Sequence, residues 1–218
     1  MTGLRSSPRL LKCGLVLVDP ESGVLRRSVT LQYNPDVLSR TLQLRSTGEG
    51  GDRSEALRLT GPPIETIKLD AEIDATDQLE FPNEHPTAFA LGIHPQLAAL
   101  EAIAYPSATS LMANSALAGR GTIELVPFES ALTLFVWSAQ RILPVRLTEL
   151  SIVEEAFDQA LNPIRAKASL GMRVLSVDDL GFRHKGGSLF MSYLRAKETL
   201  VELAPTGSIS NLGLGSLP

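Results

Sequence analysis

From Ile67 to Asp74 the chain alternates apolar and charged residues at every step: Ile67-Lys68-Leu69-Asp70-Ala71-Glu72-Ile73-Asp74. Side chains leave a strand to opposite faces with a period of two, so this octet reads as a strand with one buried and one wetted face. A wetted face favours antiparallel sheet, because parallel sheets are normally covered on both sides.

The same logic marks further strands. Residues 10–18 and 24–33 flank the turn cluster Asp19-Pro20-Glu21-Ser22-Gly23 and read as a hairpin. Asn34-Pro35-Asp36 breaks the chain before an alternating stretch over 37–44, and Gly61-Pro62-Pro63 separates a short strand at 57–60 from the opening pattern. Later strands are expected at 122–126, 132–137, 142–151 and 164–174. The last carries Ile164, Ala166, Ala168, Leu170, Met172 and Val174 on one side and Arg165, Lys167, Ser169 and Arg173 on the other.

Two helices are expected. One follows Pro95, which suits a first helical turn, and stops at Pro106; the other runs over 188–203 to Pro205. Residues 75–86 read as acidic turn, 111–121 as linker, the glycine-rich 46–54 as a mobile loop, and 208–218 as a tail suited to lie on a partner surface. The fold class is therefore mainly β with minor α, built as a barrel or as two packed antiparallel sheets with a flanking helix. The division expected is a β domain over 1–177 and a C-terminal helix with an extended docking tail over 178–218.

With 218 residues, 44% of them hydrophobic and 20% charged, the chain can bury a full core. A net charge of -4, with no long basic run, gives no footprint for nucleic acid. Cys13 is the single cysteine, so no internal disulfide forms and a reducing cytoplasm suits the chain. Arg5 and Arg9 before an apolar run resemble a secretion signal superficially. Lys12 interrupts that run and Asp19-Pro20 ends it, so a strand is expected there, with no lipoprotein anchor and no stable membrane insertion.

Chemistry is sparse. His85, His94 and His184 lack partners at metal-binding spacing and read as loop or helix-start residues. Asp70, Glu72 and Asp74 share one strand face; a cation site or a carboxylate pair is one reading, and the better one is a solvated face or a subunit contact opposite basic residues such as Arg165, Lys167 and Arg173. Gly181 to Ser188 lacks phosphate-loop spacing and reads as a helix cap with Ser188 near the N-cap. Trp137 reads as core or interface. No catalytic, cofactor-binding or metal-ligating residue is assigned, and an enzyme is not expected.

The order of several short segments resembles the tube-initiator or baseplate-hub family of contractile injection systems, which are phage-tail-like particles. The segments are Leu31-Gln32-Tyr33-Asn34-Pro35 with Leu38-Ser39-Arg40, then Ile67-Lys68-Leu69-Asp70-Ala71, then His94-Pro95-Gln96-Leu97-Ala98-Ala99-Leu100-Glu101. They continue as Phe135-Val136-Trp137 with Leu143-Pro144-Val145-Arg146-Leu147, Phe157-Asp158 with Asn162-Pro163-Ile164-Arg165-Ala166, and Leu212-Gly213-Leu214. The resemblance implies a tail-tube-like barrel and a ring, a hexamer, that links the spike or baseplate hub to the inner tube and templates tube assembly. Its implied partners are copies of itself, the inner tube protein and the spike, hub and baseplate proteins. Assembly is implied in the cytoplasm, within a particle that docks at a membrane or is released. Many members carry a peptidoglycan-binding LysM module after the tube domain; this chain is expected to be too short for one, a departure that removes the basis for a cell-wall role.

Two other readings compete. One is a monomeric β-barrel that binds a small ligand or glycan on Trp137; its test is a pocket lined by that residue. The other is a hydrolase using Asp70, Glu72 or Asp74, which needs a general acid held in a cleft.

Overall fold

The computed structural model describes residues 11–45, 59–119 and 131–205. Seven strands form one antiparallel sheet in the order β2-β1-β5-β6-β7-β4-β3. They are β1 (Gly14–Val18), β2 (Leu25–Thr30), β3 (Leu38–Gln43), β4 (Ile64–Asp74), β5 (Leu132–Ser138), β6 (Arg141–Phe157) and β7 (Pro163–Val174). The helices among the described residues are α1 (Thr76–Leu79), α2 (Pro86–Leu91), α3 (His94–Ala104), α4 (Ala108–Gly119), α5 (Val177–Leu180) and α6 (Lys185–Glu202). The mainly-β class with flanking helices is as expected.

The hairpin expected around Asp19 is β1 and β2. The Asp19 carboxylate accepts hydrogen bonds from the Ser22 backbone N–H and hydroxyl, which folds the turn. The opening pattern is β4, and its apolar phase meets that of β7: Ile67 opposes Met172, Leu69 opposes Leu170, and Ala71 opposes Ala168. All six side chains are at most 4% exposed. Full burial of a side chain the size of Ile, Leu or Met stabilises a fold by roughly 1.5–3 kcal/mol, so these pairs anchor the sheet.

One apolar cluster contains Leu15 of β1, Val29 of β2, Phe135 of β5, Leu143 of β6, Leu170 of β7 and Ile67 of β4. Strands at both ends of the hydrogen-bonded order thus share one core, so the sheet rolls up into a barrel-like wall. Side chains complete the roll. Gln32 donates to the carbonyl of Asp74 at 2.6 Å and accepts from the Asp74 N–H at 3.0 Å, imitating one rung of a strand ladder between the ends of β2 and β4. Asn34 does likewise beside β1, accepting from the Cys13 N–H at 2.9 Å and donating to the Leu11 carbonyl at 2.8 Å. Replacing Gln32 with alanine removes both of its hydrogen bonds and leaves the half-buried backbone of Asp74 without them. A loss of about 1–3 kcal/mol is expected, read as a lower urea midpoint at an unchanged slope.

α3 closes the end where β4 finishes and β7 begins, with Ile93, Leu97 and Leu100 in the core and the Ile93 N–H bonded to the Pro163 carbonyl. α6 closes the opposite end with Phe190 and Tyr193. A second, smaller cluster of Val18, Leu132 and Leu134 lies on the other face of β5, against Leu180 of α5 and Leu189 of α6. β5 is therefore buried on both faces along this stretch, which its single alternating phase did not suggest.

Three local expectations are corrected. Residues 111–121 are not linker as far as they are described, because α4 covers Ala108–Gly119. Its run of alanine and leucine favours helix, and Ser107 accepts a hydrogen bond from the Ser110 N–H at its start. Residues 75–86 include the short helix α1. α6 starts three residues before Ser188, and its N-cap is His184, whose Nδ1 accepts from the Gly186 N–H at 3.0 Å. The glycines there serve close approach: a Cβ on Gly187 would lie 2.0 Å from the Gly181 carbonyl oxygen. The strand expected at 122–126, the glycine-rich loop and the tail lie outside the described residues.

Candidate functional site

With the apolar phase of β4 and β7 turned inward, the charged phase forms an exposed ladder. Asp70 opposes Ser169, Glu72 opposes Lys167 and Asp74 opposes Arg165. The carboxylates and the basic strand therefore meet as the sequence suggested. Ser169 donates to Asp70 at 2.6 Å. β6 joins from the other side: Glu155 holds Arg165 at 3.3 Å and Lys167 at 3.0 Å, and Glu149 lies 3.6 Å from Lys68. Arg173 turns instead to Asp179 of α5, at 2.6 Å. Exposed pairs of this kind contribute roughly 0.2–1 kcal/mol each, so the ladder is a hydrated, charge-matched surface more than a source of stability.

The ladder is poorly suited to catalysis. Successive carboxylates stand two residues apart on a straight strand, in the open. Asp74 accepts hydrogen bonds from the side chain and backbone of Thr76, which hold its carboxyl below the usual carboxylate range, the opposite of what a general acid requires. A shallow hollow of about 320 Å³ lies on this face between Ser39, Lys68, Asp70, Glu149 and Ser169. Gly171 forms its floor; a Cβ there would meet the Glu149 Cβ at 3.0 Å. Among the described residues, no group of three or more His, Cys, Asp or Glu side chains is arranged to hold a metal ion.

Asp19 and Asp158 are also held below the ordinary carboxylate range. The main cause is the Ser22 backbone N–H for Asp19, ahead of Arg26, and the Asn162 side chain for Asp158. A carboxyl whose folded value is depressed stabilises above its unfolded pKa of about 3.9, and that contribution is lost as pH falls through the folded value. Thermal melts should therefore be flat between about pH 5 and 7 and fall below about pH 4. Asp158→Asn should reduce the steepness of that fall.

The other singled-out residues have plain places. His85 is the N-cap residue of α2, His94 opens α3 and His184 caps α6. Trp137 is half-buried against the core with its ring centroid 6.1 Å from that of Phe135. It lines neither the hollow on the polar face nor the larger groove beside β6.

Two strand edges frame the polar face. β5 pairs with β6 no further than Val145, while β6 continues to Phe157 alongside β7. Among the described residues, its outer edge beyond Val145 has no strand partner. Across the four-stranded unit β6-β7-β4-β3, the outer edge of β3 is likewise open among the described residues. β2 is a third edge, and it is blunted as soluble proteins blunt theirs, by the exposed charges of Arg26 and Arg27. β3 lacks that protection: its one charge, Arg40, turns to the core side, while Leu42 and the neighbouring Val37 and Leu44 are exposed. Val153 and Phe157 are exposed on β6.

The sequence reading passed over one polar group that fixes this unit. Glu65 is buried on the core face of β4, bonded by Arg40 Nε of β3 at 2.8 Å and approached by Lys197 Nζ of α6 at 3.6 Å. Arg40 also donates to the Tyr193 hydroxyl at 3.1 Å, and Lys197 sits 4.2 Å from the centre of the Tyr193 ring. The signal was legible: Glu65 occupies the phase shared by Ile67, Leu69, Ala71 and Ile73, where a charge needs a partner. No described helix is long and apolar enough to cross a membrane.

No protein-family model and no curated protein matches the chain. Among solved structures, it is similar to a chain in the tail of an empty gene transfer agent particle, refined with C6 symmetry. The identity is 9%, over 75% of this chain and 90% of that one, with a TM-score of 0.30. It is also similar to a chain from the virion of a native gene transfer agent particle, at 8% identity over 74% and 90%, with a TM-score of 0.27. At such identities and scores these likenesses carry no argument about what this chain does.

Proposed function

We propose that the chain is a non-enzymatic ring component whose copies join head to tail, the β3 edge of one meeting the β6 edge of the next. The observation that carries this reading is that, among the described residues, β3 and β6 have no strand partner on their outer edges at opposite sides of one four-stranded sheet with a polar face. Four is an even number, so strand direction keeps alternating across each joint, and an antiparallel ladder continues from copy to copy about an axis along the strands. A head-to-tail contact that closes gives a ring and leaves no edge exposed. The charge-matched ladder then lines or flanks the channel.

Following the resemblance of the ordered sequence segments, the ring has six copies and belongs to a contractile injection system, between the spike or baseplate hub and the inner tube, whose polymerisation it templates. Its partners are the tube, hub and baseplate proteins, and assembly takes place in the cytoplasm. Mass photometry of the purified chain with its tube protein should give a species of six chain masses, and negative-stain images a sixfold annulus. A lone monomer under all conditions, or normal tubes in a strain lacking the gene, would remove this reading.

A further inference from the structure

α6 reaches from β5 to the β4–β3 side of the sheet. Its start lies over β5, where a Cβ on Gly186 would meet Leu132 at 3.2 Å, and Lys197 reaches Glu65 on β4. Crossing from β5 to β4 takes three strand spacings, about 14 Å at 4.8 Å each, and eleven residues of helix rise about 16 Å. The helix thus reaches β4 by Lys197. Past Lys197 the helix runs about 8 Å further to Glu202, with Leu203 as its C-cap. This end exposes Leu200, Val201 and Leu203 at 56%, 71% and 75%. Glu198 and Glu202 are exposed there too, beside the negative end of the helix dipole.

A groove with apolar and basic residues in its lining runs beside β6. It encloses about 1150 Å³ between the open edge of β6 and the junction of α3 with α4. Ile103, Tyr105, Leu147 and Leu150 give it apolar lining, beside the basic Arg27 and Arg146 and the carboxylate of Glu149, which leans to Lys68. Among the described residues, neither arginine has an ion-pair partner.

We infer that the C-terminal end of α6 from one copy seats in the α3/α4–β6 groove of the next, its leucines and valine against the apolar walls and its carboxylates at Arg27 and Arg146. The occupant must come from a second copy. His184, at the start of the same helix, lines the groove, and Glu202 lies about 27 Å along the helix axis from it. The inference rests on the head-to-tail ring, because that arrangement brings the β3 side of one copy to the β6 side of its neighbour.

Charge reversal across the joint tests it. Glu202→Arg alone and Arg27→Glu alone should each weaken self-association at least tenfold by mass photometry, with circular dichroism and melting unchanged because both sites are exposed. A chain carrying both changes should recover most of the loss. Single variants that assemble like the parent, or a double variant that fails to recover, would overturn the groove contact while leaving the ring standing. A parent chain that never self-associates would overturn both.

Discussion

Glu65→Ala is expected to lower stability by about 3 kcal/mol and to loosen α6 from the sheet. Removing one partner of a buried ion pair usually costs about 3–5 kcal/mol, because the remaining charge stays in the interior unpaired. The low end applies here, since Glu65 is 5% exposed in its side chain while Arg40 and Lys197 retain 26% and 36%. The Tyr193 hydroxyl then shares Arg40 with no carboxylate, and the joint between β3, β4 and α6 loses its centre. For a chain of this length the melting temperature should fall by roughly 6–12 °C. Glu65→Gln, which can still accept from Arg40, should lose less. Replacing Arg40, Glu65 and Lys197 together with apolar residues of similar volume should cost little, because desolvating the charges consumes most of what their attraction returns. A triple variant as unstable as Glu65→Ala would show that packing of the glutamate stem, and not its charge, holds the joint.

The second large effect concerns assembly, not folding. Leu42 and Leu44 lie exposed at the unguarded edge, and Leu42 stands directly opposite Glu65 in the β3–β4 ladder. Lysine at both positions is accommodated in the separate chain, where the ammonium groups reach water, so the melt should move little. On edge pairing the same groups are pressed against a neighbour's strand, the device soluble proteins use to keep edges apart. Self-association should weaken by at least about a hundredfold, or ~2.7 kcal/mol. Unchanged assembly of Leu42→Lys/Leu44→Lys would mean that the β3 edge is not the joint.

Strand phases were legible from the residues. The alternation over β4 and β7 placed Ile67 against the core and Asp70, Glu72 and Asp74 in water, and the basic strand proved to be the direct neighbour of the acidic one. Period-two patterning reports which face is wet, and it reports this well where only one face is buried. It failed on β5, which is buried on both sides, because Leu132 and Leu134 pack under α5 and α6 while Phe135 points to the main core. The linker expected over 111–121 failed for a related reason. α4 leaves Leu111, Met112 and Leu117 exposed, so no buried stripe marked it, and its helical propensity was the only local signal.

Pairing was hidden further. Nothing in a one-dimensional pattern says that β6 outruns β5 by twelve residues, yet that mismatch leaves the edge that is open among the described residues and on which the functional reading depends. The closing contact of Gln32 was equally invisible, since it acts on β4, 42 residues away in sequence. Glu65 was the exception, a charge on an apolar phase that could have been flagged from the sequence.

The central claim is that the β6 and β3 edges of neighbouring copies complete one continuous wall. A cryo-electron microscopy map of the chain in its assembled particle tests it most directly. The account predicts backbone hydrogen bonds between the outer edge of β6 in one copy and β3 in the next, running antiparallel, with Asp70, Glu72, Lys167 and Arg165 facing the axis. A map in which both edges face solvent, or pair with strands of a different protein while copies of this chain never touch, would contradict it.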